Sequence, residues 1–181
     1  MPDDEITPLP PGSPAPDFTL RDVFSGEAVT LGEALSEGPV VLNFWSGECE
    51  WSRNYDDYFN RRAAEWAEKG IRLLHIASNA TESPDDIRRR AGELKINAPV
   101  LRDEGNAVAD AYGALTTPHV FLIAPEGRIV YQGAVDDRSF RQRTPTVNYL
   151  DAAVEALLAG RAPDVAASPP YGCTIVRAFE E

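Results

Sequence analysis

The chain has 181 residues, 17 Lys+Arg against 29 Asp+Glu, and a formal net charge of −12. That length reads as one domain with an appendage, large enough to bury a full core without disulfide staples. The acidic balance argues against nucleic acid as a partner, no apolar run approaches the ~20 residues of a membrane span, and a hydrophobic content of 43% argues against a largely disordered chain.

The densest basic run, Arg88-Arg89-Arg90, lies among Asp85, Asp86 and Glu93 and reads as a solvated helix face. The stretch from Met1 to Gly12 is acidic and proline-rich with no apolar h-region. The cytoplasm is therefore the expected compartment, and the periplasm the alternative if a leader has been removed. Two cysteines, Cys49 and Cys173, are too few for a disulfide framework or a Cys-based zinc site.

In chain order, residues 1–14 read as an extended or disordered lead-in, rich in proline (Pro2, Pro8, Pro10, Pro11, Pro14). A short strand at 15–20 pairs with 27–31 across Ser25-Gly26, and 32–35 makes one helical turn at most. The apolar, β-branched and aromatic run 40–45 predicts a fully buried strand. A helix follows over 50–68, with Trp51, Tyr55, Tyr58, Phe59, Ala63 and Trp66 on one face and Gly70 beyond its end. Then come a buried strand at 71–77, a charged helix at 85–94, a short extended piece at 100–101, a helix at 104–112 and a turn at 116–118. Strands at 119–124 and 128–133 flank the turn Pro125-Glu126-Gly127, and a last helix covers 147–158. The domain spans 15–160, and a Pro/Ala-rich tail, 161–181, carries Cys173. The order β-α-β-α-β-α-β-β-α predicts a mixed sheet between two layers of helices.

Cys49 is the main chemical candidate, because it stands after a buried strand at the start of a helix, where backbone N–H groups favour the thiolate. Ser52, one turn on, is placed to hydrogen-bond the sulfur and Arg53 to add positive charge, while Glu48 and Glu50 oppose ionisation. A buried, inert cysteine is the competing reading. Trp51, Tyr55 and Tyr58 are candidates for a groove wall or for core packing. His119 follows Pro118 and is a candidate contact near Cys49, although a core or surface role fits both His119 and His75 better. Neither histidine has a metal-ligand pattern beside it, and no Gly-rich phosphate loop is present.

The segment Phe44-Trp45-Ser46-Gly47-Glu48-Cys49-Glu50-Trp51-Ser52 resembles the thioredoxin active-site segment Phe-Trp-Ala-x-x-Cys-x-x-Cys. Thr117-Pro118 resembles the Thr–cis-Pro pair that faces the reactive sulfur in that fold, and Ala15-Pro16-Asp17-Phe18-Thr19-Leu20 resembles the opening strand of its redoxin branch. That branch holds the TlpA/ResA-type thiol-disulfide proteins and the AhpC/TSA (peroxiredoxin) family. The resemblance covers residues 12–158. It implies a thioredoxin-like three-layer α/β/α sandwich with a mixed central sheet, no cofactor, Cys49 as nucleophile, and Trp45, Trp51, Thr117, Pro118 and His119 around the substrate.

The departures shape the functional expectation. Ser52 replaces the second cysteine, so the motif itself cannot close a disulfide. Ser46 fits the peroxiredoxin hydroxyl position, but Leu42 replaces its proline, and its peroxide-activating arginine is absent near Pro118. The tail segment Gly172-Cys173-Thr174-Ile175 resembles the Gly-Cys-x-Ile ending of some bacterial redoxin-domain proteins. As a flexible arm it would let Cys173 resolve a Cys49 mixed disulfide or sulfenic acid; the bland alternative is a cysteine packed by the tail. The expectation is a thiol-disulfide oxidoreductase acting on a protein or small-molecule disulfide, with thioredoxin as one candidate reductant. A peroxiredoxin-like hydroperoxide reductase is the alternative, and a non-catalytic binding module the second. Oligomeric state is left open.

Overall fold

The computed structural model describes residues 5–178; residues 1–4 of the expected lead-in and 179–181 of the tail lie outside the described residues. The elements are β1 (Thr19–Asp22), β2 (Ala28–Thr30), α1 (Leu31–Leu35), β3 (Val40–Phe44), α2 (Glu50–Arg53), α3 (Asp56–Glu68), β4 (Arg72–Ala77) and α4 (Pro84–Glu93). They continue as β5 (Val100–Arg102), a 3₁₀ turn (Glu104–Asn106), α5 (Ala107–Tyr112), β6 (Thr116–Thr117), β7 (Val120–Ile123), β8 (Ile129–Gly133), α6 (Tyr149–Leu158) and β9 (Cys173–Thr174). Seven strands form one sheet in the order β2-β1-β5-β4-β3-β7-β8, and β6 pairs with β9 separately. β3, β4 and β5 are parallel, and the remaining pairs of the sheet are antiparallel. This is the expected mixed α/β/α sandwich.

Strand alternation decides which helix each residue meets. Val40, Leu42 and Phe44 of β3 and Leu74 and Ile76 of β4 pack with α1 and α5 through Leu31, Ala109 and Tyr112. Val41 and Leu73 point the other way, onto Phe59 and Trp66 of α3 and Leu150 and Val154 of α6. Trp45 and Ala77 continue that second face against Ile87 and Ala91 of α4. A parallel strand covered on both sides must be apolar throughout, which is why 40–45 is a near-continuous hydrophobic run. Arg88 and Arg89 of the triple arginine lie on a solvated helix face, with Arg89 paired to Asp86 and Glu93, while Arg90 is half-buried and its guanidinium pairs with Glu93.

Several local expectations are corrected. The single helix expected over 50–68 is broken at Asn54-Tyr55, where Tyr55 (φ −106, ψ 0) caps a new helix. The Tyr55 hydroxyl donates to Asp136 Oδ1 (2.7 Å), and Asp56 Oδ1 accepts from Trp45 Nε1 (2.9 Å). Two side chains tied to different layers override the helical period. The last helix starts at Tyr149 instead of 147, because Asn148 Oδ1 caps it through the Asp151 N–H (2.8 Å). The turn expected at 116–118 is a strand, β6, that the tail pairs with. The flexible arm is not seen among the described residues, since the tail is docked over 166–178.

On the α3 face two polar side chains sit in register on the central strands, Asn43 and His75, with Asn43 Nδ2 and His75 Nδ1 3.1 Å apart. Burial pushes His75 down to about 3, so the ring is neutral. Asp56 is 5% exposed, and its second oxygen, Oδ2, has no partner. Burial raises its pKa to about 6, against the opposing bond from Trp45 and the charge of Arg53. The folded protein thus binds this proton more tightly than the unfolded chain does. Asp56 favours folding at low pH and costs stability as pH rises from its ordinary value through 6. Asp56→Asn keeps an acceptor for Trp45 and removes the charge. It is expected to gain about 2 kcal/mol over wild type at pH 8 and nothing at pH 3.5, read by urea unfolding at both values.

Candidate active site

β3 delivers the loop Trp45-Ser46-Gly47-Glu48-Cys49 from the middle of the sheet. Ser46 is fully buried and its hydroxyl organises the loop. Its Oγ accepts from the Glu48 N–H (3.3 Å) and the Cys49 N–H (3.2 Å) and donates to Glu82 Oε2 (2.7 Å). Glu82 is 2% exposed and also accepts from the Gly47 N–H (3.2 Å) and from Asn79 Nδ2 (2.9 Å). Both oxygens of this buried carboxyl group are thus engaged. A Cβ on Gly47 would stand 2.7 Å from Arg90 Cβ, so only glycine lets α4 pack this close.

Cys49 is the N-cap residue of α2, and its Sγ accepts from the Ser52 N–H at 3.4 Å. The Ser52 hydroxyl does not reach the sulfur as expected. It accepts from the Ser46 N–H (3.1 Å) and closes the loop instead. The charge of Arg53 acts on Asp56, where it favours the ionised carboxylate. On the opposite side, the Thr117 carbonyl oxygen lies 3.5 Å from Cys49 Sγ, ahead of a cis Thr117–Pro118 bond.

Cys173 closes the site. Its sulfur is bonded to Cys49 Sγ (2.05 Å, Cα–Cα 6.2 Å), joining residues 124 positions apart. The backbone around it forms β9, antiparallel to β6, with Cys173 opposite Thr117 and Thr174 opposite Thr116. A Cβ on Gly172 would lie 2.1 Å from the Thr117 oxygen, so glycine is required for the tail to come this near. Tyr171 stacks edge-on against Trp51 with ring centroids 4.9 Å apart.

Cys49, Ser52, Cys173, Trp51, Thr117 and Pro118 therefore converge on one place. Trp45 and His119 lie behind it. Trp45 is fully buried and bonded to Asp56. His119 is fully buried; its Nδ1 accepts from the Leu115 N–H (3.1 Å), and its Nε2 faces Gln132 Oε1 (2.9 Å). Burial pushes it down to about 4, partly opposed by Gln132, so it is a neutral scaffold group and not a surface contact. The Tyr55 and Tyr58 hydroxyls are committed to Asp136 and Asp151, and both residues line a cleft with Asp136, Arg138 and Asn148. Sequence reasoning missed Glu82 and Asn79, which sit in a polar loop with no local signal; Glu82 meets Ser46 from 36 positions away.

Comparison with known proteins agrees with this geometry. The sequence model of the AhpC/TSA family matches residues 11–132. The thiol-disulfide oxidoreductase ResA of Bacillus subtilis (strain 168) is 33% identical over 119 residues, 66% of this chain and 64% of that protein. The match thus spans just under two thirds of that relative's length. An uncharacterized conserved protein from Geobacillus kaustophilus has a similar structure, with a TM-score of 0.87 and 30% identity over 95% of this chain and 94% of that one. That overlap takes in most of the segment after α6. The thioredoxin domain of a thiol-disulfide oxidoreductase from Bacteroides vulgatus shares the fold, with a TM-score of 0.61 and 24% identity over 75% of this chain and 93% of that one.

Removing the Glu82 carboxylate strands the Ser46 hydroxyl, the Gly47 N–H and the Asn79 amide in a buried loop. Glu82→Ala is expected to destabilise the protein by about 2–4 kcal/mol, measured by chemical unfolding of the disulfide form. A loss below about 0.5 kcal/mol would show that the network does not hold the Cys49 loop.

Proposed function

The chain belongs to the AhpC/TSA family, and from that premise we propose that it is a thiol-disulfide oxidoreductase whose working couple is Cys49 and Cys173. The observation that carries this reading is the disulfide between them, which puts a second thiol at the nucleophile although Ser52 has replaced the cysteine of the motif.

The cycle follows from ordinary thiol exchange. Reduced Cys49 attacks one sulfur of a disulfide substrate, and the first product thiolate leaves and takes a proton from water. The Ser52 N–H stabilises the attacking Cys49 sulfur. Cys173 then attacks Cys49 Sγ from its position opposite Thr117 and expels the second product thiolate. One substrate disulfide is reduced to two thiols, and two protein thiols are oxidised to one disulfide. A reducing thiol from outside, thioredoxin being one candidate, reverses the change. The pairing of Cys173 with β6 makes the second step intramolecular and favours it over release of a mixed disulfide.

Hydroperoxide reduction is the second reading. Cys49 is 5% exposed, and that opening suits attack of its thiolate on a small peroxide oxygen better than on a bulky group. In that case Cys49 becomes a sulfenic acid, the alcohol or water leaves, and Cys173 condenses with the sulfenic acid to release water. Against it, Arg138 lies over Tyr55 and pairs with Asp136.

Intact mass of the reduced protein after one equivalent of oxidised glutathione, with a thiol-blocking quench, tests the proposal. Wild type is expected to lose two hydrogens and yield the linked Cys49–Cys173 peptide. Cys173→Ser is expected to stop at a glutathione adduct on Cys49, and Cys49→Ser to stay unmodified at that residue. The same series with hydrogen peroxide ranks the second reading. Two unmodified thiols under excess of both oxidants would leave only a non-catalytic binding module.

A further inference from the structure

Cys173 sits in the middle of a strap that is fastened on both sides by contacts that do not involve sulfur. Before the cysteine, Ala166 and Ser168 lie along β8. Ala166 O accepts from the Gln132 N–H (3.1 Å), the Ser168 N–H donates to Gln132 O (3.1 Å), and Ser168 Oγ accepts from the Ala134 N–H (3.0 Å). Beside it, Tyr171 covers Trp51 and accepts from the Phe140 N–H (2.8 Å). After it, the Ile175 N–H donates to Leu115 O (3.0 Å), and the Ile175 side chain, 2% exposed, belongs to the main core cluster. Val176 exchanges bonds with the 79–80 loop, its N–H donating to Asn79 Oδ1 (2.9 Å) and its carbonyl accepting from the Ala80 N–H (2.9 Å). The Ala178 N–H donates to Asn106 Oδ1 (2.7 Å).

None of these contacts runs through the disulfide. The strap covers the β6 edge, and Cys49 beneath it is 5% exposed. A folded protein that offers its disulfide to Cys49 would need a flat approach and a place for its own backbone, and the strap fills both. We propose, building on the thiol-disulfide reading, that the strap stays seated through the redox cycle and restricts the substrate class to low-molecular-weight disulfides, which reach Cys49 past its edge. The reaction is the balanced exchange given above, with a small disulfide reduced to two free thiols and the Cys49–Cys173 bond formed.

Hydrogen exchange on the reduced and oxidised wild type reads the strap directly. The amides of Ser168, Ile175, Val176 and Ala178 are expected to remain protected after reduction, at least about tenfold slower than in an unfolded peptide. Stopped-flow oxidation of the reduced protein is expected to run at least about tenfold faster with oxidised glutathione than with insulin, at equal disulfide concentration, because a seated strap leaves little protein in an open form. The double variant Asn106→Ala, Ile175→Ala loosens the strap without touching the sulfurs. It is expected to speed reaction with insulin and leave the first step with oxidised glutathione unchanged. Unprotected amides in the reduced wild type, or equal rates with the two disulfides, would overturn the proposal. Protected amides with no reaction toward either disulfide would remove the oxidoreductase reading itself and the substrate class with it.

Discussion

The two-residue ladder between β6 and β9 is the constraint on which the site depends. It sets Cys173 opposite Thr117, whose carbonyl oxygen is already against the Cys49 sulfur. A ladder this short is marginal by itself. It is held by what flanks it, Ile175 in the core and Ser168 on β8, and it is permitted by Gly172, where any side chain would strike the Thr117 backbone. The reactive pair is thus a product of tertiary packing over a sheet edge, and the local motif supplies only one of its two sulfurs.

Two buried carboxylates near the site show how environment assigns roles. Glu82 has each oxygen engaged by donors from the Cys49 loop and Asn79, so its burial is compensated and it fixes that loop in place. Asp56 keeps one oxygen without a partner, so its burial is costly and its charge is displaced toward the neutral form. The Asp56 side chain, at the start of α3, anchors Trp45 behind the reactive loop. Through Asn79, which bonds both Glu82 and Val176, the Cys49 loop and the far end of the strap share one hydrogen-bonded chain. That chain gives the strap a footing on the site that does not pass through the disulfide.

Much of the fold was readable along the chain. The buried strands at β3 and β4, the hairpin of β7 and β8 and the charged helix α4 follow from apolar period and turn residues; the cap of α4, Ser83 Oγ accepting from the Asp86 N–H, came only with the structure. The resemblance around Cys49 and Thr117-Pro118 pointed to the family and to the nucleophile. The helix break at Tyr55 was not readable, because the helical period continues through it and the competing bonds come from Asp136 and Trp45. Glu82 was not readable either, since a glutamate in a polar loop carries no mark of burial.

By itself the sequence determined the layers, the order of strands and helices along the chain, and a thiol at the end of a buried strand, because local period encodes these things. It also placed a second thiol near the C-terminus, in a segment whose composition suggested a loose arm. Only the tertiary structure decided that this segment is a fastened strap, that Ser52 braces Ser46 instead of reaching the sulfur, and that His119 faces the core. Each of those outcomes is fixed by partners distant in sequence or by which face of a strand meets which layer. Contacts of that kind exist only once the chain has folded.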